Sequence, residues 1–210
     1  MSEVMIDGPA GRLEGRFARG AEAGAPVALV LHPHPLYGGS LNNKVVFTLH
    51  RALHRHGFAT LRLNFRGVGR SQGGYGGGDG ELADAAAALD WLAERTPDAA
   101  GRWIAGYSFG AWIGLRLLTV RPGLDRFVAV APPVGLFDFG FLPPCPAPGL
   151  IVQGSDDDLV PEHGVADLAR DLAGQPGCAV DYQRVDGADH FFADHMAELT
   201  GRLDRYVAAG

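Results

Sequence analysis

The sequence has little cysteine. Cys145 and Cys178 are the only two in 210 residues, and no C-x-x-C spacing joins them. A disulfide framework and a cysteine-rich zinc site are therefore excluded, and two buried thiols without redox work are expected. Long apolar runs are absent as well. None approaches 18 residues, which leaves no candidate for a membrane span. The opening MSEVMIDGPAG lacks the basic and apolar regions of a secretory signal, so a cytoplasmic protein is expected. Positive charge is scarce: 18 Lys and Arg face 24 Asp and Glu, for a formal net charge of −6. With the two signs interspersed, that balance disfavours a partner offering a phosphate backbone, so no nucleic acid is expected.

Two nucleotide motifs are missing too. RGVGRS (66–71) superficially has the start of a G-x-G-x-x-G loop, but the position of the third glycine is Gln72. No G-K-[ST] occurs either, so neither a dinucleotide loop nor a P-loop is supported. A tight structural turn, with Arg66 bonding to neighbouring loops, is the expectation for this stretch. His32 and His34 form an H-x-H pair, yet no further ligand follows at useful spacing. No metal is expected; one histidine should bond beneath the loop while the other rims a pocket.

What is present is an alternation of strand and helix. A composition that is 47% hydrophobic and 20% charged suits one soluble core. Short strands at Val4–Asp7 and Leu13–Phe17 predict a hairpin. PVALVL, ending at Leu31, is a continuous apolar run of the kind buried on both faces of a parallel sheet. Further strands are predicted at 58–65, 102–106, 126–131, 150–153 and 180–185. Helices are predicted at 42–56, stopped by Gly57, and at 79–94, 109–120, 162–173 and 191–207. The segment 131–148, rich in proline and glycine, reads as irregular. The sum is a single three-layer α/β domain over residues 1–210 with a mostly parallel central sheet.

Ligands in such sheets gather at the carboxyl ends of the strands. Four loops belong there: HPHPLYGGS, RGVGRSQGGYGGGDGE, GSDDDLVP and the turn inside GYSFG (106–110). The second holds eight glycines between Gly67 and Gly80 and is either mobile or adjacent to ligand. GYSFG fits G-x-S-x-G, the nucleophile elbow of strand–turn–helix hydrolases. A serine at such an apex is crowded by the residues two before and two after it, and Gly106 and Gly110 leave room. Ser108 would then stand above the sheet, with the Phe109 N–H and the helix dipole facing any charge that develops on attack.

A serine needs a base, and the base needs an orienting acid. His190, in the turn of VDGADHFF, comes late enough in the chain to serve as base, whereas His195 is expected inside the following helix and to the side. The acid belongs to GSDDDLVP. Spacing favours Asp157, with Asp156 and Asp158 as alternatives that could instead cap a turn.

Taken together, LHPHPLYGGSLNNKVV (31–46), LRLNFRGVGRSQG (61–73), DGELADAAAALDWL (79–92), GYSFGA (106–111), VQGSDDDLVP (152–161) and GADHFF (187–192) resemble the α/β-hydrolases, specifically small bacterial hydrolases without a lid. The likeness spans nearly the whole chain. It implies a Ser108–Asp157–His190 triad, no cofactor, often a homodimer, and carboxylesterase activity on small esters. A thioesterase or small-peptide hydrolase would use the same triad, and a catalytically silent binding module would keep the fold alone. Many members of the superfamily carry His-Gly where this chain has His32–Pro33. Pro33 has no N–H, so the resemblance implies an oxyanion hole of the His34 and Phe109 N–H groups. Tyr37, Phe109, Phe137, Phe139, Phe141 and Phe191 are candidates for an aromatic wall, Tyr37, Phe137 and Phe191 foremost. The 131–148 connection is too short and too broken for a cap domain, so an open pocket is expected.

Overall fold

Valines and leucines alternate in direction along the first core strand, and that alternation sets up three layers. Val27, Leu29 and Leu31 point into one apolar cluster, while Ala28 and Val30 point into another on the opposite face. A strand buried on both sides must lie between two layers of helices. The computed structural model describes residues 1–142, 144–176 and 178–210. Its elements are β1 (Ser2–Gly8), β2 (Gly11–Ala18), β3 (Val27–Leu31), α1 (Lys44–Arg55), β4 (Ala59–Leu63), α2 (Asp79–Arg95), β5 (Arg102–Tyr107), α3 (Phe109–Val120), β6 (Arg126–Val130), β7 (Gly149–Gly154), α4 (Glu162–Ala173), β8 (Val180–Val185) and α5 (Met196–Ala209).

The eight strands form one sheet in the order β1-β2-β4-β3-β5-β6-β7-β8. β4 through β8 run parallel, and the β1–β2 hairpin joins antiparallel to β4. Ala85, Leu92, Ile113, Leu117, Val165 and Leu172 place α2, α3 and α4 on one face. Val46, Leu49, Leu53, Leu199 and Leu203 place α1 and α5 on the other. Each of these valine, leucine and isoleucine side chains, taken from water, stabilises the fold by roughly 1.5–3 kcal/mol.

The expected strands and helices stand where the residue pattern puts them, apart from their ends. α1 starts at Lys44 rather than Asn42, because the Asn43 side chain accepts from the Val45 N–H and caps the helix. β4 stops at Leu63, since Asn64 turns its amide away to bond Leu41 and Glu14. The larger correction concerns the last helix, expected from Phe191. It starts at Met196. Phe192 has a positive φ of 52°, and the Ala193 N–H donates to Asp189 Oδ1, so residues 189–195 form successive turns. His195 is consequently the residue flanking α5 at its start, not a member of the helix. The segment 131–148 holds no helix or strand among its described residues, only an isolated bridge between Val134 and Phe137; position 143 lies outside them.

Candidate active site

Ser108 links β5 directly to α3, and the strand-to-helix reversal forces it to a φ of 52° and ψ of −121°. A β-carbon on Gly106 would lie 2.3 Å from the Gly110 oxygen, and one on Gly110 would lie 2.5 Å from the Leu31 oxygen. Neither contact is tolerable, so both glycines are required by close approach of backbone. Strain of this kind costs about 1–3 kcal/mol. The Ser108 N–H donates to the Val130 oxygen at 2.8 Å, which holds the turn against β6. Serine before a helix normally caps it; here the hydroxyl makes no capping bond.

It meets His190 instead. Ser108 Oγ lies 3.0 Å from His190 Nε2, and His190 Nδ1 lies 2.7 Å from Asp157 Oδ2. The three residues come from β5–α3, β8–α5 and β7–α4 connections, all at the carboxyl ends of parallel strands. The His190 carbonyl accepts from the buried Tyr107 hydroxyl at 2.9 Å, which fixes the turn carrying the ring. With Asp157 as acceptor, Nδ1 carries the proton and Nε2 is left to accept from the serine hydroxyl.

Asp157 is the acid the fold places at the ring. Its Oδ1 accepts from the Leu159 and Val160 N–H groups at 3.0 and 2.7 Å, and Oδ2 also accepts from Gln153 Nε2 at 2.8 Å. Burial alone would raise its pKa. The His190 hydrogen bond and charge, the Val160 N–H and the Gln153 amide outweigh burial and hold the carboxyl below its ordinary value. Asp156 bonds the adjacent Ser155 hydroxyl instead, and Asp158 makes no bond to His190.

On the other side of the serine, His32 is fully buried and His34 rims the opening. His32 Nε2 accepts from the Phe65 N–H at 3.0 Å and its Nδ1 donates to the Pro33 oxygen at 2.6 Å. Among the described residues, neither the His34 N–H nor the Phe109 N–H has a protein acceptor. The His34 ring packs 4.8 Å from Tyr37, 4.9 Å from Tyr75 and 4.8 Å from Phe109. Phe137 completes this group, 5.7 Å from Phe109 and 4.5 Å from Trp112. Phe191 stands apart, edge-on to His190 at 5.6 Å and 60% exposed. Phe139 and Phe141 stack on each other at 6.0 Å rather than joining the wall, because Phe139 is drawn into the core.

Several residues with a part in this site carry no sequence signal of it. Tyr75 belongs to the glycine-rich loop. It leans on His34, and the loop around it is tied down by buried Glu81, which accepts from the Gly76 and Gly78 N–H groups at 2.8 Å each. Arg66 is paired with buried Asp84 at 2.7 Å, so among the described residues its side chain bonds α2 rather than the neighbouring loops expected of it. In sequence Glu81 and Asp84 look like ordinary acids of a first helical turn. Gln153 left a trace, being the one polar side chain of an otherwise apolar strand. Among the described residues, no group of three His, Cys, Asp or Glu side chains could hold a metal, and no helix is long and apolar enough to cross a membrane.

Comparison with known proteins agrees with this geometry. Residues 7–142 match the family described as X-Pro dipeptidyl-peptidase (S15 family). A solved structure of a protein of unknown function from Agrobacterium tumefaciens is 47% identical, with 99% of this chain and 95% of that one covered and a TM-score of 0.96. An alpha-beta serine hydrolase homologue from Coxiella burnetii is 38% identical over 98% and 96% of the two chains, with a TM-score of 0.88. A member of the a/b serine hydrolases without lid, from Xanthomonas campestris, is 32% identical over 99% and 94%, also with a TM-score of 0.88. The chain thus belongs to the family described as X-Pro dipeptidyl-peptidase (S15 family), and it is a lid-less α/β-hydrolase related to bacterial serine hydrolases and carboxylesterases.

Proposed function

We propose that the protein hydrolyses small carboxylic esters through an acyl-enzyme on Ser108. The observation that carries this reading is the unbroken hydrogen-bonded series Asp157–His190–Ser108 in front of two unengaged N–H groups. His190 Nε2 takes the hydroxyl proton as Ser108 Oγ bonds to the ester carbonyl carbon. The carbonyl oxygen, now anionic, receives hydrogen bonds from the His34 N–H in the loop after β3 and the Phe109 N–H at the α3 terminus. Collapse of this intermediate breaks the bond to the alcohol oxygen, which leaves with the proton from His190. Water then gives a proton to Nε2 and attacks the acyl carbon; the carboxylic acid departs and the proton returns to Ser108. Asp157 holds the Nδ1–H tautomer throughout and stabilises the ring while it is charged.

Labelling with a fluorophosphonate followed by peptide mapping tests the nucleophile: modification of Ser108 is expected, and an unlabelled Ser108 in folded protein would overturn the reading. The bond cleaved is tested by rates on a nitrophenyl ester, an acyl thioester and an X-Pro anilide. The ester is expected to be fastest; faster anilide cleavage would assign a peptidase instead.

A further inference from the structure

Of 18 Lys and Arg residues, one is lysine: Lys44. Ten of the other cations make ion pairs, whereas Lys44 is exposed and makes none among the described residues. It lines a cavity of about 420 Å³ together with Ser40, Asn42, Asn43, Tyr107 and Phe191. Two of those neighbours adjoin the reacting groups, since Tyr107 precedes Ser108 and Phe191 follows His190. The cavity therefore opens beside the triad.

The wall carrying Lys44 is built to stay in place. The Leu41 N–H donates to Asn64 Oδ1 at 2.8 Å, and the Leu41 oxygen accepts from Arg62 Nη1 at 2.7 Å. Arg62 is only 2% exposed, has no carboxylate partner, and leaves its Nε–H without any acceptor among the described residues. Burying an uncompensated cation is costly. Here the cation holds Leu41, between Ser40 and Lys44, and lies over the Phe47 ring, 5.1 Å from its centroid. The acids that act on Tyr107 are Asp157, engaged by His190, and Asp189, whose Oδ1 is engaged by the Ala193 N–H.

Resting on the ester-hydrolase reading, we propose that this cavity is a subsite for a carboxylate on the substrate, with the Lys44 ammonium as its counter-charge: the preferred substrates are half-esters that keep a free carboxylate a few bonds from the scissile carbonyl. One ammonium beside neutral hydroxyl and amide groups matches a singly charged group with two oxygens. A phosphate would call for a second mobile cation or a guanidinium fork, and the lining holds neither.

The test compares kcat/KM on the mono-nitrophenyl ester of glutaric acid with that on nitrophenyl pentanoate, a neutral ester of the same chain length. The charged ester is expected to be favoured, and the charged-to-neutral ratio is expected to fall about tenfold in Lys44→Met and to recover in Lys44→Arg. The preference should also weaken with added salt, as a partly exposed ion pair does. A second readout needs no turnover: calorimetric titration with glutaric acid monomethyl ester should give weaker binding to Lys44→Met than to the parent protein. An unchanged ratio with unchanged binding would overturn the carboxylate subsite while leaving ester hydrolysis intact. If no ester is cleaved by Ser108 but the titration still depends on Lys44, the hydrolase reading fails and the binding site stands.

Discussion

Phe65 donates its backbone N–H to His32 Nε2 at 3.0 Å, and this bond ties the carboxyl end of β4 to that of β3 beneath the Ser108 turn. With Nε2 accepting and Nδ1 donating to the Pro33 oxygen, the buried ring is neutral by construction. Burial lowers its pKa from 6.5 to about 4. His50, buried against Thr60 and close to the Arg62 cation, is lowered to about 4 in the same way.

Acid should therefore weaken the fold well before carboxylates titrate. Between pH 6.5 and 4 the unfolded chain has protonated these histidines and the folded one has not, so stability rises with pH across that window. His32 alone contributes about 3 kcal/mol to the difference. Below the ordinary carboxyl range Asp157 adds to the loss, because its folded pKa is depressed and its contribution disappears as pH falls through it. Urea unfolding at pH 4, 5, 6 and 7 should show the slope, and His32→Gln should flatten it. A pH-independent midpoint over that range would contradict the assignment.

Ser108→Ala should fold like the parent and lose nearly all turnover, leaving what the N–H donors and binding supply, with a fall of at least about 10³-fold. Ser108→Gly should raise thermal stability by about 1 kcal/mol, because glycine relieves the positive φ. Gly106→Ala should fail to accumulate as folded protein, given the 2.3 Å approach to Gly110. Melting curves of the three variants check all of this at once.

Three adjacent aspartates make a sharp comparison. Asp157→Asn should cut kcat by roughly 10⁴-fold, by disturbing the tautomer of His190. Asp156→Asn and Asp158→Asn should stay close to the parent. Equal losses in all three would mean a field effect of the loop rather than one orienting acid.

Glu81→Gln removes the charge that both glycine N–H groups face across 2.8 Å. The 73–78 segment should loosen and Tyr75 should leave His34. KM is expected to rise several-fold on aromatic esters with a smaller change in kcat; amide exchange at Gly76 and Gly78 should speed up in parallel.

The parallel core and the serine–acid–histidine order were legible because each rests on a local pattern. PVALVL can only be buried on both sides, and glycines two residues either side of a serine mark crowding. What escaped the sequence depends on tertiary partners. The DHFFADH stretch has the apolar spacing of a helix, yet Phe192 takes a positive φ when its ring is pulled into the core beside Leu199. Glu81 could not be told from a dipole-favouring acid until its two glycine donors came within reach. Cys145 and Cys178, 33 residues apart in sequence, both turn their thiols toward the Ala147 oxygen, and burial, with the Cys145 thiol beside it, pushes Cys178 up to about 12. Burial of this kind favours the neutral, unreactive thiol.

Among its described residues the 131–148 connection holds no helix that could cross over Ser108, so on the proposed reaction no helical cap would have to move before an ester arrives or a product leaves. Gating by a helical cap would then drop out of the cycle, and solvent viscosity is expected to act on diffusion alone. The same openness governs the fate of the acyl group. Without a helical cap over it, water and any added alcohol would compete for it on the basis of concentration and nucleophilicity. In molar glycerol or methanol, a share of the acyl chains should leave as new esters instead of acids.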